Sequence, residues 1–141
     1  MSYERDRLDI LDLLGRYAHA YDSGDREALA QLFVEDAEFV IQGRVGHVPS
    51  VMSGRDAIIE GLVAKRLVMQ PEQRRHIATN LVVLEQTDSL AQALSYLVLV
   101  ATVDGSPRIL ATGRYEDDLV KCDDGDWRIR RRLAIPDSEV P

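Results

Sequence analysis

The chain has 141 residues, 45% of them hydrophobic and 29% charged, with 17 basic against 24 acidic side chains and a formal charge of −7. The length suits one domain, residues 1–141, able to bury about two-thirds of its unfolded surface without staples. The acidic balance argues against general binding to nucleic acid or anionic membrane, because both reward clustered cations. A single cysteine, Cys122, cannot form an internal disulfide. The charged N-terminus has no apolar segment behind it, and no apolar run approaches the ~20 residues that span a bilayer. A cytoplasmic location is expected. Composition names no function.

From Glu4 to Tyr21, the residues Leu8, Leu11, Leu14 and Ala18, with Ile10, Tyr17 and Tyr21, recur every three or four positions. That is the period of an amphipathic helix buried on one side. Gly24 can end it in a left-handed cap, and Asp25 can cap a second helix whose stripe is Leu29, Leu32 and Phe33. Glu38 to Gln42 reads as a short strand. Gln42 to Gly54, with three glycines and a proline, reads as loop. Ser53 and Asp56 match a capping box ahead of a third helix, Ala57 to Leu67, which Gln70-Pro71 ends. The rest is strand-like: Arg74 to Glu85, Ser89 to Val103, Arg108 to Lys121 and Asp126 to Ile135. Asp88-Ser89, Asp104-Gly105 and Asp124-Gly125 supply the hairpin turns. Helices first and antiparallel strands after give an α+β class, the helices covering one face of a curved sheet.

Three histidines are present and can be weighed singly. His19 belongs to the polar side of the first helix, and His47 lies in the Gly/Pro loop, placed to line a pocket mouth. His76 opens the first long strand, where alternation sets His76, Ala78 and Asn80 on one face. Two polar groups and an alanine facing the core would leave a hollow rather than fill one; the alternative puts His76 in solvent at a strand end. Asp22 ends the first helix, where the helix dipole disfavours a carboxylate. Either it sits in a solvated turn, or it accepts a histidine N–H and fixes that ring's tautomer. Tyr17 and Tyr21 share a helical face and either fill the core or offer phenol hydroxyls to the same hollow. On the last strand, alternation groups Trp127, Ile129, Arg131 and Leu133. If that is the core face, Arg131 is the inward cation, able to clamp a carboxylate or oxyanion. Nucleotide loops, H-E-x-x-H and G-x-S-x-G are missing, and no Cys/His cluster supports a metal.

Four blocks, in order, carry a resemblance: I-L-D-L-L-G-R-Y-A-H-A-Y-D-S-G-D, L-A-Q-L-F-V-E-D-A-E-F, R-R-H-I-A-T-N and T-G-R-Y-E-D-D-L-V-K…G-D-W-R-I-R-R-R. From Asp6 to Leu133 the chain resembles the SnoaL-like branch of the nuclear-transport-factor-2-like superfamily. The resemblance implies a cone-shaped α+β half-barrel, three helices closing a strongly curved, mostly antiparallel sheet around a pocket. It also implies homodimers through the open sheet face, where the apolar Val98, Val100 and Leu110 are expected.

Within that superfamily the surroundings of Tyr17, Asp22 and His76 are similar to scytalone dehydratase, bile-acid 7α-dehydratase and hexachlorocyclohexane dehydrochlorinase. Those enzymes use a His–Asp pair for cofactor-free elimination. The likeness makes His76 the base, Asp22 its carboxylate partner and Tyr17 a pocket phenol. Tyr21, Asn80 and Arg131 complete the expected substrate contacts, although a strand bulge would exchange Arg131 for Arg132. The ketosteroid isomerase branch fits less well, since Phe39-Val40-Ile41-Gln42 lacks its carboxylate. The expected activity is a lyase or isomerase, without cofactor or metal, acting on a small, largely apolar oxygenated metabolite, with dehydratase-like elimination in front. The alternative is a ligand-binding or assembly subunit, as in the small subunits of ring-hydroxylating dioxygenases.

Overall fold

Helix α1 (Tyr3–Ser23) starts where the Ser2 side chain accepts the Arg5 N–H, and it ends at Gly24, whose φ of 70° lets its own N–H reach the Ala20 and Tyr21 carbonyls. The computed structural model describes residues 2–43, 49–68 and 71–138. The buried stripe of α1 runs through Ile10, Leu13, Leu14, Tyr17 and Ala18. Leu8 and Leu11, expected in that stripe, are 62% and 54% exposed. The helix carries more apolar residues than one face can cover, and two buried carboxylates, Asp6 and Asp22, set its rotation.

Helix α2 (Arg26–Ala30) is capped by Asp25, which accepts the Ala28 N–H. Strand β1 (Phe33–Ile41) begins five residues before the expected Glu38, because buried Phe33 already pairs with Ile129 ahead of an irregularity that hides the alternation. The segment read as loop contains a short strand, β2 (Ser50–Ser53), antiparallel to β1 from Glu38↔Ser53 to Ile41↔Ser50. Four residues with little alternation give no strand signal of their own. His47 lies outside the described residues. Helix α3 (Arg55–Val68) starts two residues before the expected Ala57, because the Ile58 N–H already donates to the Gly54 carbonyl, and Gly54 holds a φ of 89°.

Strands β3 (Gln73–Gln86), β4 (Leu90–Val103), β5 (Ser106–Lys121) and β6 (Trp127–Pro136) lie within two residues of their expected bounds. The six strands form one sheet in the order β2-β1-β6-β5-β4-β3, antiparallel except where β1 runs parallel to β6. The sheet is curved and unclosed, and the helices pack on its inner face around a core that includes Ile10, Leu29, Phe33, Ile58, Leu62 and Ile129. Val98 and Val100 take the outward positions of β4 as expected, alternating with buried Leu99 and Ala101. Leu110 is instead the extra residue of a bulge between the pairs Leu99↔Ala111 and Val100↔Ile109.

Helix α1 is tied to the sheet by an aspartate at each end. Asp6 Oδ1 accepts from Lys121 Nζ at 2.9 Å and from Trp127 Nε1 at 3.1 Å. Asp22 binds β3. No described helix is long and apolar enough to cross a membrane.

Candidate active site

Asp22 sits in the last turn of α1 against the opening of β3. Its Oδ2 accepts the His76 backbone N–H at 3.0 Å, and its Oδ1 lies 2.6 Å from His76 Nδ1. The two side chains are 8% and 9% exposed. Neither the solvated turn nor the solvent-facing histidine is what the chain adopts. A carboxylate only accepts, so Nδ1 carries a ring proton, and in the neutral imidazole Nε2 is then the acceptor. Tyr21 stacks on the imidazole, with centroids 4.5 Å apart and planes inclined by 21°. Two charge-assisted bonds offset the unfavourable helix dipole at Asp22. Arg66 of α3 donates Nε–H to the Asp22 carbonyl at 2.7 Å and Nη1–H to the Glu72 carbonyl at 3.3 Å, joining α1 and α3 to the approach to β3.

His76 borders a cavity of about 1170 Å³, whose walls also include Tyr17, Tyr21, Phe39, Leu62, Leu97 and Tyr115. Tyr17 is 1% exposed and meets Tyr21, Phe33 and Tyr115 edge-on. Arg132 lies over both phenol rings, 4.3 Å from the Tyr17 centroid and 3.9 Å from that of Tyr115. Its Nε and Nη2 donate to the two Asp117 oxygens at 2.8 and 2.9 Å. Burial pushes the Tyr17 phenol well above its usual range, with the Arg132 charge opposing. Burial likewise raises Tyr21 and Tyr115 to about 12. All three are neutral hydroxyl donors at physiological pH.

One expected contact, Asn80, lies elsewhere, and another, Arg131, reaches only the cavity rim. Strict alternation put Asn80 beside His76, but β3 bulges there: the pairing jumps from Thr79↔Tyr96 to Val82↔Leu94, and Asn80 takes a φ of 54°. Asn80 is exposed and borders a separate groove between α1 and β3. A second bulge, between Asp118↔Arg131 and Leu119↔Ile129, makes Arg130 the extra residue and turns Arg132 inward. Arg131 stays at the rim, its side chain 44% exposed and paired with Glu38 at 3.1 Å. Sequence reading missed Tyr115 as a wall residue, although it lies on the inward face of β5, and Arg66 as the brace of Asp22, which carries no local signal. Among the described residues, no three His, Cys, Asp or Glu side chains gather as a metal site requires.

This geometry, helices on the inner face of a curved, unclosed sheet with a pocket between them, is the cystatin-like α+β fold of nuclear-transport-factor-2-like proteins. Residues 3–133 match the SnoaL-like domain model, and the chain belongs to the SnoaL-like family. It is 35% identical over 132 residues to the terrestric acid biosynthesis cluster protein E of Penicillium crustosum, covering 89% of this chain and 79% of that protein. A variant of a protein of unknown function from Mycobacterium tuberculosis has a similar structure, with a TM-score of 0.81, 32% identity, and coverage of 96% of this chain and 73% of the other. A nuclear-transport-factor-2-like protein with a cystatin-like fold from Novosphingobium aromaticivorans gives a TM-score of 0.79 at 28% identity, covering 93% and 81% of the two chains.

Proposed function

We propose that the protein is a cofactor-independent lyase or isomerase for a small, largely apolar oxygenated metabolite. The observation that carries this reading is the doubly bonded, buried Asp22–His76 pair at the edge of a roomy cavity. His76 Nε2 takes a proton from a carbon next to a carbonyl. The electron pair passes to the carbonyl oxygen, and a phenol O–H from Tyr17, Tyr21 or Tyr115 stabilises the enolate. If a β-hydroxyl is present, the imidazolium returns the proton to it as the C–O bond breaks, and water and the unsaturated product leave. Return of the proton to another carbon gives the isomer. Elimination is preferred because the neutral phenols can also hydrogen-bond the departing hydroxyl. A relative named for a terrestric acid biosynthesis cluster is in keeping with a small-metabolite substrate.

A positioned base contributes typically ~10²–10⁴-fold in rate. On a small molecule that co-purifies with the protein, identified by mass spectrometry, Asp22→Asn and His76→Gln should each lower turnover by that order with the fold retained by circular dichroism. Near-normal turnover in both folded variants would leave the cavity to ligand binding or subunit assembly.

A further inference from the structure

The charge around the cavity is opposite to that of the chain. Although acidic residues outnumber basic ones 24 to 17 overall, the charged residues bordering the cavity, other than His76, are Lys65, Arg66, Arg74, Arg114, Arg131 and one carboxylate, Asp137. Two of these cations are already matched: Arg74 by Glu72 at 2.5 Å and Arg131 by Glu38 at 3.1 Å. Arg66 spends its bonds on the carbonyls of Asp22 and Glu72, which leaves its charge without a carboxylate partner among the described residues. Lys65 and Arg114 also have no ion-pair partner there. Arg66 donates to the backbone carbonyl of the residue that holds His76, and both Arg66 and His76 border the same cavity. Lys65 keeps part of its side chain in solvent, and the partial desolvation it meets at the cavity wall pulls its ammonium below the usual lysine range.

The geometry points to a substrate that carries a carboxylate, seated at the Lys65–Arg66 side of the cavity while its reacting carbon faces His76 Nε2. This deepens the proposed catalytic reading and rests on it for the placement of the reacting carbon. A monoanion suits the place better than a phosphate dianion: the two cations stand in the last turn of α3, where the helix presents negative partial charge and no free N–H groups. Apolar walls such as Leu62, Leu97 and Phe39 take the body of the molecule.

The test is isothermal titration of the intact protein with benzoate, 2-naphthoate and biphenyl-4-carboxylate, each against its neutral primary amide, and with 2-naphthyl phosphate. The expected result is at least tenfold tighter binding of one or more carboxylates than of the matching amide. Lys65→Gln should reduce that preference severalfold, Lys65→Arg should restore it, and His76→Gln should leave it in place. Equal binding of acid and amide, tighter binding of the phosphate, no binding by any carboxylate, or an unchanged preference in Lys65→Gln would each overturn the assignment. The catalytic reading is judged separately, by turnover in the Asp22 and His76 variants.

Discussion

The Asp22 carboxylate is used twice, once on a backbone N–H and once on a ring nitrogen of the same residue. A single side chain therefore fixes both the position of the β3 opening and the tautomer of its histidine. Both residues were legible in the sequence because each sat badly where it was: a carboxylate at the negative end of a helix, and a histidine at the start of an apolar strand. The arginine and the asparagine were not legible in the same way. Their orientation depends on bulges at Arg130 and Asn80, which arise from pairing with distant strands and leave no mark in local alternation. The inward Arg132 is 1% exposed and bound to Asp117, itself 3% exposed. Asp117→Ala should therefore destabilise the fold by about 3–5 kcal/mol, the cost of leaving a buried charge without its partner. Urea unfolding checks this; a loss below about 1 kcal/mol would mean that the phenol rings alone support the guanidinium. Because burial raises Tyr21 and Tyr115 to about 12 and pushes Tyr17 well above the usual phenol range, turnover should show no decline from phenol ionisation below about pH 10, as a pH–rate profile would record.

Among elements, α1 carries the largest consequence, since its two aspartates hold it against opposite parts of the sheet. Hydrogen bonds from Lys121 and Trp127 hold the Asp6 carboxyl below its ordinary value of 3.8. A group depressed in the folded state stabilises fully above its unfolded value and loses that contribution as pH falls through the folded one. Acid unfolding should thus sharpen below about pH 4, and Asp6→Asn should flatten that limb while costing about 1–3 kcal/mol at neutral pH. Strand β5 contributes a second test. A Cβ added at Gly113 would sit 2.6 Å from the Ile135 carbonyl oxygen and 2.9 Å from the Pro136 Cα, both backbone atoms with no room to rotate away. Gly113→Ala should cost about 1–3 kcal/mol by overpacking, measurable as a lowered Tm. The long strands were readable from composition and turn residues alone. The edge strand β2 and the early start of β1 were not, because they exist through pairing rather than through their own periodicity.

At the scale of the whole molecule, the outward face of β3, β4 and β5 exposes Ile77, Val82, Leu84, Tyr96 and Ile109, each at least 46% accessible. Apolar surface of that kind on one sheet marks an interface, and we propose that it joins two copies of the chain. Sedimentation velocity should give about twice the 15.8 kDa chain mass, and Tyr96→Glu with Ile109→Glu should return the monomer; a wild-type monomer at micromolar concentration would remove the proposal. The inner face does the opposite, keeping part of the space between helices and sheet open around one oriented imidazole. Isotope exchange reads abstraction of a carbon-bound proton by the Asp22–His76 pair without any need for net reaction. Incubated in D₂O with the small molecule that co-purifies with it, the wild-type protein should place deuterium at one carbon, and His76→Gln should slow that exchange by ~10²–10⁴-fold. Exchange at the wild-type rate in folded His76→Gln, or no exchange in the wild type, would rule out His76 as the base.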